Sequence, residues 1–247
     1  MDSIKEYYDL HVVGKLDGFL NGNERVERAW QTLLEHFESP GTVLEIGCGI
    51  GDISWRMSNE WKNARITGID ISPKSIEFAT KVFTNSRLKF VEGILPSEHV
   101  EGNFDLIVMM DVFEHIAKED RKNLYSTIKQ LLSPDGFFFM SFPTPKHLQW
   151  LRDFHPEQIQ PVDEDVDLRV ICDFAEAIGK GLILYKEICV WYQGDYAHAI
   201  FGNRDWKEFT DRKTSSDWIR IEERTANEID KTEKLRLIRQ KLGANYV

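Results

Sequence analysis

Apolar and polar positions change period several times along the chain, and the changes divide it into elements. The first forty residues alternate charged and apolar positions at helical intervals and stop at Ser39-Pro40-Gly41, which predicts a helical cap over 1–40. Thr42-Val43-Leu44-Glu45-Ile46 is a short β-type run that empties into Gly47-Cys48-Gly49-Ile50-Gly51, so the order there is strand, glycine loop, helix. Ile53, Met57 and Trp61 follow at four-residue steps, and Arg65-Ile66-Thr67-Gly68-Ile69-Asp70 is a second strand with an acid at its tip. Ser72 caps the next helix and Pro73 takes its first position, where a missing N–H costs nothing.

The rhythm continues through Leu88 to Val91 and through Phe104 to Met110, a run apolar enough for burial on both sheet faces. A helix with Leu124, Ile128, Leu131 and Leu132 is stopped by Ser133-Pro134-Asp135-Gly136, and Gly136 to Phe142 makes a fifth strand. Pro143 to Pro161 has no period and is too long for a plain connection, so 143–162 is read as a lid loop. A helix around Ile171, Phe174, Ala175 and Ile178 ends at Gly179 or Gly181. Leu182 to Tyr192 and Ala197 to Phe201 are two last strands joined by a turn at Gly194-Asp195. The expectation is one domain over 1–247: an α/β core at 41–202 with a doubly wound, seven-stranded, mostly parallel sheet, and a helical extension at 203–247 with apolar positions at Leu235, Ile238 and Leu242.

Composition narrows the function classes. A formal charge of -10 repels nucleic acid, and no basic run interleaved with aromatics reverses this locally. No apolar stretch approaches the roughly 20 residues a spanning helix needs, and the opening residues lack a secretion signal, so no membrane insertion and a cytoplasmic location are expected. Three cysteines, Cys48, Cys172 and Cys189, have no paired-ligand spacing, and Asp163-Glu164-Asp165-Val166-Asp167 reads as a charged helix start, so no metal is expected.

Glycines at 47, 49 and 51 let backbone N–H groups approach a ligand, and Asp70 stands where an acid accepts from both hydroxyls of a ribose. A nicotinamide fingerprint would need glycine at 52, where the chain has Asp52. Glu45 beside the loop suits a ligand bearing an amino group and a sulfonium better than a doubly charged pyrophosphate. S-adenosylmethionine carries both groups.

These residues, together with Asp111-Val112-Phe113-Glu114-His115-Ile116 after the fourth strand, resemble the class I S-adenosylmethionine-dependent methyltransferases, and most closely the small-molecule branch that includes ubiquinone-biosynthesis-like enzymes. The likeness spans about 42–144 and implies a Rossmann-like methyltransferase fold. It implies that Glu45, Gly47, Cys48, Gly49 and Gly51 line the methionine and ribose portions and that Asp70 holds the ribose. It further implies that Ile71 packs on the adenine and that Met110 and Asp111 flank the methionine tail. Relatives often carry an acid after strand three; here Ile94 stands there, so adenine recognition falls to the backbone around Gly93 and Ile94, or to Glu92.

Methyl transfer asks mainly for positioning and exclusion of water, but a hydroxyl acceptor must lose its proton, and histidine is the usual agent. His155, in the proline-constrained Phe154-His155-Pro156-Glu157, is the first candidate and His198 the second. Tyr7, Tyr8, Phe113, His147, Trp150 and Tyr192 are expected around the acceptor, where aromatic faces also attract a sulfonium. The reading is transfer to a hydroxyl or carboxyl oxygen of a small molecule, by a monomer or a homodimer. N-methylation, a nicotinamide oxidoreductase and a non-catalytic cofactor-binding protein are the alternatives.

Overall fold

The computed structural model describes residues 2–203 and 231–243. Helices α1 (Asp2–Leu10), α2 (Val12–Asn21) and α3 (Glu24–His36) make the cap. The side chain of Asn23 caps α3 by accepting from Arg25 N, with Glu24 and Glu27 in the first turn and His36 in the last. The core then runs β1 (Thr42–Ile46), α4 (Asp52–Glu60), β2 (Arg65–Asp70), α5 (Pro73–Val82), β3 (Leu88–Glu92), β4 (Phe104–Met110), α6 (Arg121–Leu131), β5 (Leu132–Pro143), α7 (Pro145–Phe154), α8 (Leu168–Ile178), β6 (Gly181–Cys189) and β7 (Gln193–Gly202). A last helix, α9 (Lys231–Leu242), follows.

The seven strands lie in the order β3-β2-β1-β4-β5-β7-β6, all parallel except β7, which runs antiparallel to both neighbours. Alternate residues serve opposite faces. Leu44, Ile107, Met109 and Phe138 pack with Leu124, Ile128, Ile171 and Phe174 of α6 and α8. Val43, Leu106, Val108 and Phe139 pack with Leu33, Ile53 and Met57 of α3 and α4. Burial on both faces is why β4 is an unbroken apolar run. On α9, Ile238 is buried in a smaller cluster with Phe19 of α2 and Phe78 of α5, as its spacing with Leu235 and Leu242 predicts. Residues 204–230 of the expected extension lie outside the described residues.

Three local expectations need correction. Leu132 does not close α6: it opens β5 and pairs with Phe104, so Ser133-Pro134-Asp135-Gly136 lies inside the strand, absorbed by a register shift between Phe104 and Leu106. Gly136 allows this because a Cβ there would stand 2.6 Å from the Phe104 carbonyl oxygen. The expected lid loop holds α7, with Thr144 as N-cap, Pro145 in the first turn, and His147, Leu148 and Leu151 buried. That Thr-Pro start and the spacing of those residues were readable, but four prolines hid them. The β6–β7 turn falls at Val190 to Tyr192, whose backbone N–H groups all donate to the Asp195 carboxylate, so Gly194 and Asp195 belong to β7.

Candidate active site

The sheet order reverses beside β1, between β2 and β4, and ligands of open α/β sheets bind outside the carboxyl ends of the strands at that point. The Gly47-to-Gly51 loop is fastened there: Gly47 N and Cys48 N donate to the Ile69 carbonyl at 2.7 and 3.0 Å. Gly47 and Gly51 hold φ at +76° and +86°, and a methyl on Gly47 would collide with Val112. Asp70 is 6% exposed; its Oδ2 accepts from Gly49 N at 2.7 Å and its Oδ1 from Ser72 N at 2.9 Å. Lys15 of the cap places Nζ 3.9 Å from Asp70 Oδ2, and Lys5 pairs with Glu92 at 3.1 Å, so the cap lies across the ends of β2 and β3.

The other expected cofactor residues are gathered here in different ways. Glu45 is buried, accepts from Ser54 Oγ of α4 at 2.5 Å, and is pushed up to about 8 by burial. Cys48 turns its thiol inward, so that a Cβ on Gly68 would meet Sγ at 2.8 Å; only its backbone faces the loop. Gly93 N donates to the Asp70 carbonyl, and Ile94 beside it is half-exposed, with Ile71 and Met110 partly buried at the ends of β2 and β4.

Beyond β4 the cap and core enclose a cavity of about 610 Å³, within the range of small-molecule sites. Tyr7, His147, Trp150 and Tyr192 line it. Tyr8 stands at its edge, with its ring 6.4 Å from His115 and its hydroxyl donating to Gln160. Phe113 does not reach it: the ring is fully buried against Tyr125 and Phe174, in the core.

The two histidines expected as bases are elsewhere. His155 is half-buried at the rim, its ring 4.7 Å from Trp150 and 3.3 Å from the exposed Glu157 carboxylate, and it does not line the cavity. His198 points into the opposite sheet face, 1% exposed, with Nδ1 2.8 Å from the Thr32 hydroxyl. Burial pushes His198 down to about 4, helped by Lys186 and His36, so it is neutral in the folded chain. Its unfolded value is near 6.5. Below that pH the unfolded chain takes a proton that the folded one refuses, so stability is full above about pH 6.5 and falls towards pH 4 by up to about 3 kcal/mol. Urea unfolding between pH 7.5 and 4.5 checks this: relative to His198→Gln, which has nothing to protonate at that position, the wild type should lose about 2–3 kcal/mol of stability across the window.

Arg25, which the sequence reading did not single out, joins residues of the 111–116 motif and of the acidic run at the cavity. Arg25 of α3 meets Asp111 Oδ2 at 3.0 Å and donates to the Tyr196 hydroxyl at 3.1 Å, with its guanidinium 5.8 Å from the Trp191 and Tyr196 ring centres. Asp111 holds φ at +52°, a conformation that Asp tolerates better than most residues. Glu114 is 1% exposed. The ring of His115 places Nδ1 2.9 Å from Asp163 and 2.9 Å from the Val162 carbonyl, and Nε2 3.7 Å from Glu114 Oε1. The acidic run therefore divides: Asp167 caps α8, while Asp163 turns into the cavity. Burial holds Glu114 well above the usual carboxylate range; burial opposes charge on His115, but Glu114 and Asp163 outweigh it and raise its pKa.

Residues 43–136 match the family described as "Methyltransferase domain". The chain is 28% identical to the phosphoethanolamine N-methyltransferase of Plasmodium falciparum (isolate 3D7), over 63% of this chain and 62% of that protein. It is 32% identical to the mitochondrial ubiquinone biosynthesis O-methyltransferase of Schizosaccharomyces pombe, over 40% of this chain and 36% of that one. The chain thus covers less than two thirds of either relative. The magnesium protoporphyrin IX methyltransferase of Synechocystis PCC 6803, solved with bound SAH, superposes with a TM-score of 0.62 at 16% identity, over 82% of this chain and 99% of that one. Residues 43–136 thus carry a methyltransferase domain, and the seven-stranded mixed sheet is the fold of the S-adenosylmethionine-dependent methyltransferases that the chain resembles. Among the described residues no helix is long and apolar enough to cross a membrane.

Proposed function

We propose that the protein transfers a methyl group from S-adenosylmethionine to an oxygen of a small-molecule acceptor held in the cavity. The observation that carries this is a set of buried polar atoms with no hydrogen-bond partner among the described residues: Arg25 Nε, Asp111 Oδ1 and Glu114 Oε2, where the cap meets the end of β4. Unpaired buried groups of this kind are costly and mark places where a ligand completes the bonding. A guanidinium and a carboxylate side by side fit the carboxylate and ammonium of a methionine tail, and Asp70 fits the ribose hydroxyls. When bound, the cofactor supplies a methyl carbon activated by positive sulfur. The chain's residues supply orientation: the glycine loop and Asp70 fix one end, Arg25 and Asp111 the other, and Tyr7, Trp150 and Tyr192 wall the acceptor and exclude water.

Asp52 argues against a nicotinamide cofactor physically as well as by motif. It occupies the first turn of α4, paired with Arg56 at 2.8 Å, where a pyrophosphate would meet its carboxylate. Calorimetric titration with S-adenosylmethionine, S-adenosylhomocysteine and NAD tests the reading. Micromolar binding of both adenosyl ligands without NAD supports it, and NAD binding alone overturns it. Tritium transfer from methyl-labelled S-adenosylmethionine to a panel of phenols, sugars, hydroxy acids and amines then reads the acceptor atom; transfer confined to amines overturns the choice of oxygen, and no transfer at all leaves a binding protein instead.

A further inference from the structure

We propose that Glu114 is the catalytic proton acceptor of this site, taking the proton of an acceptor hydroxyl on Oε2. The assignment rests on the methyl transfer proposed above and adds to it that the acceptor atom is a hydroxyl, since a carboxylate oxygen needs no base. Among the titratable side chains lining the cavity, the others are exposed or engaged elsewhere: His11 is exposed, with its Nδ1 2.7 Å from the Tyr7 carbonyl oxygen. The His115 ring lies between Asp163, the Val162 carbonyl and Glu114, which favours its protonated form. Asp163 is held by His115 and by Gln160 N, which donates to it at 2.8 Å. His147 shares its Nδ1 with the Tyr192 hydroxyl and is stacked between Trp150 and Trp191. Tyr7, Tyr192 and Tyr196 are all shifted upward, mainly by burial, so their hydroxyls stay protonated. Glu157 is exposed on the rim.

Glu114 differs in kind. Its Oε1 faces His115, and its Oε2 is buried without a partner. Its own backbone is pinned, because Glu164 N donates to the Glu114 carbonyl at 2.9 Å. The charges around it come from every element that meets here: His115 and Asp111 after β4, Asp163 before α8, Arg25 from α3, and the hydroxyls of Tyr8 from α1 and Tyr196 from β7. Acids and burial push its proton affinity up, and His115 pulls it down, which brings a carboxylate into the range a base needs near neutral pH. In the step, the acceptor oxygen bonds to the methyl carbon as the carbon–sulfur bond breaks, the bonding pair stays on sulfur as a neutral thioether, and the hydroxyl proton passes to Glu114 Oε2. Negative charge on Glu114 and positive charge on sulfur are lost together, so the site ends no more charged than it began.

The sulfonium should therefore draw the proton off Glu114 before chemistry, and the uncharged thioether should not. Calorimetric binding at pH 7 in phosphate and in Tris measures the proton release of each ligand. The wild type should release at least about a quarter of a proton more with S-adenosylmethionine than with S-adenosylhomocysteine. Glu114→Gln should bind S-adenosylhomocysteine within about threefold of wild type, which also shows that it folds, and should show no such difference; its kcat should fall at least about 100-fold. A difference that persists in the variant, a wild type that shows none, or a variant kcat within about threefold of wild type overturns the assignment. A wild type that binds neither ligand overturns the cofactor reading instead.

Discussion

Asp70→Ala should abolish measurable binding of S-adenosylmethionine at concentrations where the wild type saturates, a weakening of about 100- to 1,000-fold or more. Two charge-assisted hydrogen bonds to ribose hydroxyls are worth about 1.5–3 kcal/mol each, and each 1.4 kcal/mol is tenfold in affinity. A second cost is structural. Asp70 also accepts from Gly49 N and Ser72 N, so its removal leaves two backbone donors of the glycine loop and the α5 cap unpaired. Asp70→Asn separates the two effects, because the amide oxygen keeps one acceptor for the backbone while the charge is gone. Calorimetry with 5'-methylthioadenosine, which keeps the ribose but lacks the amino-acid tail, should show a loss as large as that for the whole cofactor. Unchanged affinity in Asp70→Ala would move the ribose site away from β2 and break the proposed function at its first step.

Arg25→Met should have the opposite ligand signature. With the guanidinium gone, S-adenosylmethionine should bind about 30- to 150-fold more weakly, since a charge-assisted contact to a carboxylate in a half-buried site is worth roughly 2–3 kcal/mol. Binding of 5'-methylthioadenosine should stay within about threefold of wild type. Equal losses for both ligands would mean that Arg25 acts through the fold, by holding Asp111 and Tyr196, and not through the methionine tail. Some stability should go as well, because Asp111 loses its cation while Oδ1 already lacks a partner. Comparing the two variants on the two ligands therefore maps the cofactor end for end without knowledge of the acceptor.

Local signals were strong where the chain's period and its backbone demands coincide. The alternation of β1 to β4, the Ser72-Pro73 helix start and the glycines that must turn through positive φ are properties of neighbouring residues, and each stands where the pattern placed it. The proposed cofactor half of the site was legible for the same reason, because the glycine loop and Asp70 occupy the ends of consecutive strands of one βαβ unit. The extension of β5 back to Leu132 was not legible, since its Ser-Pro-Asp-Gly sequence is a breaker unless the neighbouring strand continues beside it.

The cavity end of the proposed site depended on contacts between residues far apart in the chain. Arg25 and Asp111 are 86 positions apart and meet only because α3 packs across the end of β4. His115 and Asp163 come together because the segment before α8 folds back over the turn after β4. Strand direction decided the histidines: His198 alternates with residues on the other face of β7 and points at Thr32, while His155 stops at the rim because α7 ends one residue before it. Residue order along the chain was enough to specify fold class and cofactor type, since both depend on short-range periodicity and turn geometry. Which charged groups face one another across the cavity was left to packing, because burial and pairing, and with them every shifted pKa in the site, arise only when the cap closes on the sheet.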